Sequence, residues 1–213
     1  MKLYLSSYQY GNDFAKYLEM VGKGAEIAVI ANSRDGFDES RKNARTEECM
    51  TYLGSLGFKV QEIDLRDYID RQEEVKQKLS EVKGIWILGG NAFVLRKIFH
   101  QTGLDKVLPE ILKRNQLVYG GFSAAGCVLS PSLHGVELVD DEHLMSEGYQ
   151  TETIWEGLGV LDYAFVPHYK SDHPESADID KYVAYLKEHK MPHITLHDGE
   201  SIIIDTPGRR LSS

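Results

Sequence analysis

Two short stretches of this chain place a nucleophile and a base where acyl-transfer chemistry needs them. The first reads Gly120-Gly121-Phe122-Ser123-Ala124-Ala125-Gly126-Cys127. A serine flanked by residues with little or no side chain fits a tight strand-to-helix turn. Such an elbow is strained, and only small neighbours let its hydroxyl stand exposed. The following helix would aim backbone N–H groups and its positive dipole end at the same spot. The elbow pattern is G-x-S-x-G, and here Ala125 holds the last place with Gly126 one later. A plain helix N-cap is the other reading of Ser123.

The second stretch is Pro167-His168-Tyr169-Lys170-Ser171-Asp172-His173-Pro174-Glu175-Ser176. A histidine just past a buried strand could take the proton of Ser123. His168 and His173 could also suggest a metal, but no familiar ligand spacing accompanies them, and no metal is expected. His173 before Pro174 shapes the loop that opens the next helix. A third stretch, Gly89-Gly90-Asn91-Ala92-Phe93, pairs glycines whose amides can approach a ligand closely. With the amide after the nucleophile they could form an oxyanion hole. Equally, Asn91 could cap the next helix. The acid that orients the histidine is open among Glu137, Asp140 and Asp141, which lie between Ser123 and His168.

These residues need elements to hold them. Short apolar runs at Lys2–Ser6, Ile27–Ala31, Lys59–Leu65, Gly84–Leu88, Leu117–Phe122 and Leu161–Val166 read as strands. Several are nearly continuous, as expected for strands buried on both faces of a parallel sheet. Leu104, Val107, Leu108, Ile111 and Leu112 share one helical face, as do Ile179, Tyr182, Val183 and Leu186. Cys49, Met50, Leu53 and Leu56 give a third face, with Gly57 placed to end the helix. The alternation predicts a three-layer, doubly wound α/β fold with a mostly parallel sheet, in one domain spanning 1–213. Sites in such sheets gather at the carboxyl ends of the strands, where all three stretches fall. His193–Leu196 and Ser201–Asp205 around Asp198-Gly199 predict a hairpin, and Pro207 to Ser213 a loose tail.

Composition narrows the setting. The 213 residues are 42% hydrophobic with a formal charge of −9 and no long basic run, which argues against a duplex nucleic-acid partner. No stretch is apolar for long enough to cross a bilayer, and the first residues do not read as a signal peptide. Cys49 and Cys127 are read as reduced thiols in the cytoplasm.

Taken together, Gly89-Gly90-Asn91-Ala92-Phe93, Gly121-Phe122-Ser123-Ala124 and Pro167-His168-Tyr169 resemble the peptidase E and cyanophycinase family of serine peptidases. The resemblance implies the fold of class I glutamine amidotransferases, with serine in place of cysteine at the elbow. It implies Ser123 as nucleophile, His168 as general base, the amides of Gly90 and Ala124 as oxyanion hole, and Asn91 as a substrate contact. Its acid lies after the serine, with Glu137 first and Asp140 second. A small peptide is the implied partner, no cofactor is called for, and a homodimer is one assembly open to the chain. Two features depart from the family: Ala125 stands where glycine is preferred, and Lys170 to Glu175 lacks the arginine of its aspartyl dipeptidases. A catalytically silent binding protein is the alternative that Ala125 raises. Glutamine amidotransfer would need Cys127, which falls inside the presumed helix.

Overall fold

The structure is a computed structural model and describes residues 1–206, so the tail expected at Pro207 to Ser213 lies outside the described residues. In chain order the elements are β1 (Lys2–Ser6), α1 (Phe14–Val21), β2 (Glu26–Ile30), α2 (Glu39–Ser55), β3 (Lys59–Glu62), α3 (Gln72–Ser80), β4 (Gly84–Ile87), α4 (Ala92–Gln101), α5 (Leu104–Lys113), β5 (Val118–Phe122), α6 (Ala124–Cys127), β6 (Ala164–Val166), α7 (Ser176–Glu188), β7 (His193–Thr195) and β8 (Ser201–Asp205).

Side chains alternate across a strand, and here both sets are apolar. Tyr4, Ile27, Val29 and Trp86 point to one face, where Phe14, Tyr17 and Val21 of α1 and Cys49 and Leu53 of α2 cover them. Leu3, Leu5, Ala28, Ile30, Ile85 and Ile87 point to the other, into the larger core built with α3 to α7. Each of the buried Val, Leu, Ile and Phe side chains contributes about 1.5–3 kcal/mol by leaving water. Burial on both faces holds the sheet between two helical layers.

Six strands run in the order β3-β2-β4-β5-β1-β8. Every pair is parallel except β1 with β8. The architecture is thus the expected three-layer α/β fold with a mostly parallel sheet. The parallel strands β1, β2, β4 and β5 all end at one edge, so the loops after them converge there.

Two expectations are corrected. The Asp198-Gly199 turn forms, with the Glu200 N–H on the His197 carbonyl at 3.0 Å and φ of 97° at Gly199. However, it does not close a hairpin. β7 pairs in parallel with β6 in a separate two-stranded sheet, while β8 adds antiparallel to β1. The open edge of β1 offers a longer ladder than β7, from Lys2↔Asp205 to Ser6↔Ser201. The strand expected from Leu161 is also shorter. The amides of Leu158, Val160 and Leu161 bond to the carbonyls of Val128 and Leu129, leaving only Ala164–Val166 for pairing.

Candidate active site

Ser123 sits between the end of β5 and the single turn of α6, at φ 51° and ψ −112°. This is outside the ordinary allowed regions and costs about 1–3 kcal/mol. The fold holds it there. Its N–H donates to the Ser6 carbonyl at 3.2 Å, and its carbonyl accepts from Gly126 at 2.8 Å and Cys127 at 3.2 Å. The Tyr119 hydroxyl donates to the Ala125 carbonyl at 2.7 Å. Ala125 fits because residue 121 is glycine: a Cβ there would lie 2.6 Å from the Ala125 methyl. The extra methyl at the elbow is therefore matched by a missing one below it. Because α6 is only four residues long, backbone amides rather than a long helix dipole face the serine.

Gly90 lines the same cavity as Ser123. A Cβ on Gly90 would lie 2.4 Å from the Ser33 carbonyl oxygen, so no larger residue fits. That oxygen accepts from the Asn91 N–H at 2.8 Å, and the Ser33 hydroxyl donates to the Leu88 carbonyl at 2.7 Å. Among the described residues, neither the Gly90 nor the Ala124 N–H has an acceptor.

His168 follows β6 at φ 58° and is buried. Its Nδ1 meets Asp198 Oδ1 at 2.7 Å. A carboxylate at Nδ1 fixes the proton there and leaves Nε2 free to accept one. The backbone N–H of His168 donates to Ser7 Oγ at 2.8 Å, and that hydroxyl donates to Asp198 Oδ1 at 2.8 Å. Asp198 is held in turn by its own N–H, which donates to Ser171 Oγ at 2.8 Å. Burial pushes the pKa of His168 below its usual 6.5, as does nearby His173, while Asp198 works the other way. Ser123 and His168 line one cavity of about 400 Å³, without a hydrogen bond between them.

The acid is therefore corrected. Glu137 turns back on its own loop, with Oε2 accepting from the Gly135 N–H at 2.5 Å. Asp140 accepts from the Ala92 N–H at 2.7 Å at the start of α4. It opens on the cavity, and burial pushes its carboxyl up to about 7. Asp141 receives the His143 N–H at 2.9 Å. None of the three reaches His168. Asn91 is not brought to the cavity either: it is buried, with Oδ1 capping α4 at the Val94 N–H and Nδ2 donating to the Asp141 carbonyl, and it does not line the space that Ser123 and His168 share. Cys127 is buried, and burial pushes its thiol well above the usual range, which removes it as a nucleophile.

His168, His173 and Glu175 bring one ligand atom each within 4.8 Å of one another. Their arrangement does not suit an ion. The imidazoles stack face to face, with centroids 3.7 Å apart and planes at 8°. Near-parallel rings cannot both aim an in-plane lone pair at one ion about 2.0–2.1 Å away. Both Nδ1 atoms are also engaged, one by Asp198 and one by the Glu175 N–H.

Arg34 of the 32–35 loop after β2 also lines the cavity, and that loop is held by buried contacts. Asn32 Nδ2 donates to Asp35 at 2.7 Å and Asp64 at 2.9 Å. Lys42 Nζ lies 2.5 Å from Asp35, with both side chains buried, and Tyr149 donates to the same carboxylate.

Residues 39–211 match the model of peptidase family S51. The chain belongs to that family. Curated relatives include an uncharacterized peptidase of Listeria monocytogenes, 29% identical over 56% of this chain and 55% of its own length. A probable alpha-aspartyl dipeptidase of Drosophila melanogaster is 29% identical over 70% of this chain and 59% of its own. Peptidase E of Streptomyces coelicolor is 26% identical over 60% and 51%. The chain thus spans about half the length of the curated relatives it matches. The crystal structure of a putative peptidase E from Listeria monocytogenes shares the fold, with a TM-score of 0.75, 23% identity and coverage of 95% of this chain and 93% of that one.

In this S51 chain, sequence reasoning missed Asp198 and Ser7. Asp198 lay hidden in a turn signal, where Asp-Gly has a sufficient backbone explanation. The signal for Ser7 was a polar residue ending a buried strand at the sheet edge where sites gather.

Proposed function

We propose that this S51 chain is a serine-type peptidase that cleaves small peptides by acyl transfer through Ser123, His168 and Asp198. One observation carries the reading: a strained serine and a buried histidine, the latter fixed by a carboxylate at Nδ1, open on one cavity. In the first half-reaction Ser123 Oγ attacks the peptide carbonyl while His168 Nε2 takes the hydroxyl proton. Asp198 stabilises the imidazolium, and the oxyanion faces the unpaired amides of Gly90 and Ala124. The C–N bond then breaks as His168 returns the proton to the leaving amine. Water repeats the sequence on the acyl-enzyme and frees Ser123.

A cavity of about 400 Å³ is at the small end of ligand pockets, which favours short peptides over folded proteins. The names of the Drosophila and Streptomyces relatives point the same way. Accommodation of Ala125 over Gly121 takes away the feature that favoured a silent member. Cys49 and Cys127 are both free and buried, which supports a reducing compartment such as the cytoplasm. No helix among the described residues is long and apolar enough to cross a membrane. The test is hydrolysis of a panel of di- and tripeptides with varied first residues, aspartyl ones included. Turnover that disappears in Ser123→Ala is expected. Wild-type turnover of none of them, or full activity in Ser123→Ala, contradicts the proposal.

A further inference from the structure

The Gly90 N–H belongs to the peptide that joins Gly89 to Gly90, and the carbonyl of that same peptide is held by a cation. Arg34 Nη1 donates to the Gly89 carbonyl at 2.8 Å. The peptide is trans, so its planar group points the N–H away from the C=O. With Arg34 on the carbonyl, the N–H is aimed away from Arg34, and among the described residues it has no acceptor. The peptide also lies against the nucleophile. A Cβ on Gly89 would stand 3.2 Å from the Ser123 Cβ and 2.5 Å from the Phe122 ring, so this turn presses directly on the elbow.

A peptide between two glycines is the easiest kind to turn over, because neither residue has a Cβ to restrict it. A half-turn would exchange the N–H for the C=O and set an acceptor where an oxyanion needs a donor. The bonds on either side leave that turn open. Ser33 Oγ donates to the Leu88 carbonyl at 2.7 Å, and the Asn91 N–H donates to the Ser33 carbonyl at 2.8 Å. These fix the peptides before and after, but not the one between. Among the described residues Arg34 supplies the one hydrogen bond to it. Arg34 is itself anchored, since it closes the turn Asn32–Arg34 with buried Asn32, Ser33 and Asp35 beside it. A charged donor makes a bond roughly twice as strong as a neutral one, and drawing charge through the carbonyl strengthens the N–H of the same group as a donor.

We infer that Arg34 is a positioning residue of the oxyanion hole: its guanidinium latches the Gly89–Gly90 peptide with the N–H turned towards the reacting carbonyl. This deepens the peptidase reading of the same cavity and rests on it. Arg34 acts here through the peptide group, so the effect is the same whatever side chains or charges the substrate carries.

The experiment uses diisopropyl fluorophosphate, a neutral reagent without a carboxylate. Ser123 Oγ attacks phosphorus, its proton passes to His168, fluoride leaves, and the phosphoryl oxygen takes the place of the oxyanion. The second-order labelling rate therefore reads the donors of the hole. Arg34→Met is expected to slow labelling about 10- to 100-fold, less than the ~10²–10³-fold that follows loss of a whole donor. Arg34→Lys keeps a charged donor and should recover most of the rate, a rescue that a packing role alone would not give. Arg34→Gln, neutral and shorter, should also be slowed and serves if the methionine variant does not fold. Arg45→Met removes the neighbouring cation, which is paired with Glu48 at 2.7 Å, and should leave the rate unchanged. An unchanged rate in Arg34→Met and Arg34→Gln overturns the inference, as does an equal loss in Arg45→Met or no recovery in Arg34→Lys. Those outcomes leave the peptidase reading standing, because Ser123 is still labelled in the native protein. No labelling of Ser123 with Arg34 intact removes both.

Discussion

Replacing Asp198 with Asn keeps the size of the side chain and removes its charge. In the native site Asp198 Oδ1 takes His168 Nδ1 at 2.7 Å and the Ser7 hydroxyl at 2.8 Å. An amide oxygen can still accept both, so the fold should survive. What disappears is the attraction between the carboxylate and the imidazolium formed as Ser123 loses its proton. With charge centres ~4 Å apart and an effective dielectric of ~20, that attraction is about 4 kcal/mol, or about 10³-fold in rate. If the amide turns its NH₂ towards Nδ1 instead, the histidine is forced into the wrong tautomer and the loss reaches about 10⁴-fold. The expected fall in kcat is therefore between these limits. Glu137→Gln, which touches only the Gly135 amide, should change kcat a few-fold at most. The pH profile adds a second reading. The base must be neutral, so kcat/KM rises with pH through the His168 pKa, which already lies below 6.5. Removing Asp198 should move that rising limb to lower pH. The assay is steady-state hydrolysis of the best peptide across pH 4 to 9. An Asp198→Asn enzyme near the wild-type rate, or a Glu137→Gln enzyme equally impaired, would refute the reasoning.

Three further outcomes follow from the geometry. Lys42→Met leaves the Asp35 carboxylate buried without its cation, and chemical denaturation should show a loss of about 3–5 kcal/mol; an unchanged midpoint would contradict it. Gly90→Ala drives a methyl towards the Ser33 carbonyl at 2.4 Å and displaces an oxyanion donor, so kcat should drop about 10²–10³-fold, and an active alanine variant would remove Gly90 from that role. Asp140→Asn keeps an acceptor for the Ala92 amide but no longer titrates. Because the folded-state pKa is raised from 3.8 to about 7, the native carboxyl holds a proton that the unfolded chain releases, and stability falls as pH rises through that interval. Unfolding curves should thus show the variant gaining on wild type between pH 4 and 7 and levelling off above, whereas a pH-independent difference would contradict the shifted pKa.

The parallel sheet could be read because both faces of its strands are apolar, as in Gly-Ile-Trp-Ile at 84–87. α5 and α7 could be read because Leu104–Leu112 and Ile179–Leu186 keep a helical period. Ser123 could be placed because a strained turn demands small neighbours, and the pattern of small residues survives in sequence. The partner of His168 could not. A carboxylate contact across the gap from residue 168 to 198 is a tertiary event, and Asp198 sits where an Asp-Gly turn already explains an aspartate. The same masking affected Asn91, whose substrate and capping readings were equivalent until its two side-chain bonds were seen. The hairpin at β7 and β8 failed for a related reason: the turn chemistry was right, but strand pairing depends on which sheet edge is open. The buried Asp35–Lys42 pair left no trace, since a Lys on an amphipathic helix normally marks its wet face.

The central claim is that Ser123 is an activated nucleophile. The most direct measurement is reaction of the native protein with a fluorophosphonate, followed by mass spectrometry of the labelled peptide. The account predicts a single phosphonylated residue, Ser123, with labelling slowed sharply in His168→Ala and Asp198→Asn. No adduct on Ser123, or labelling that proceeds at the same rate without His168, would contradict it.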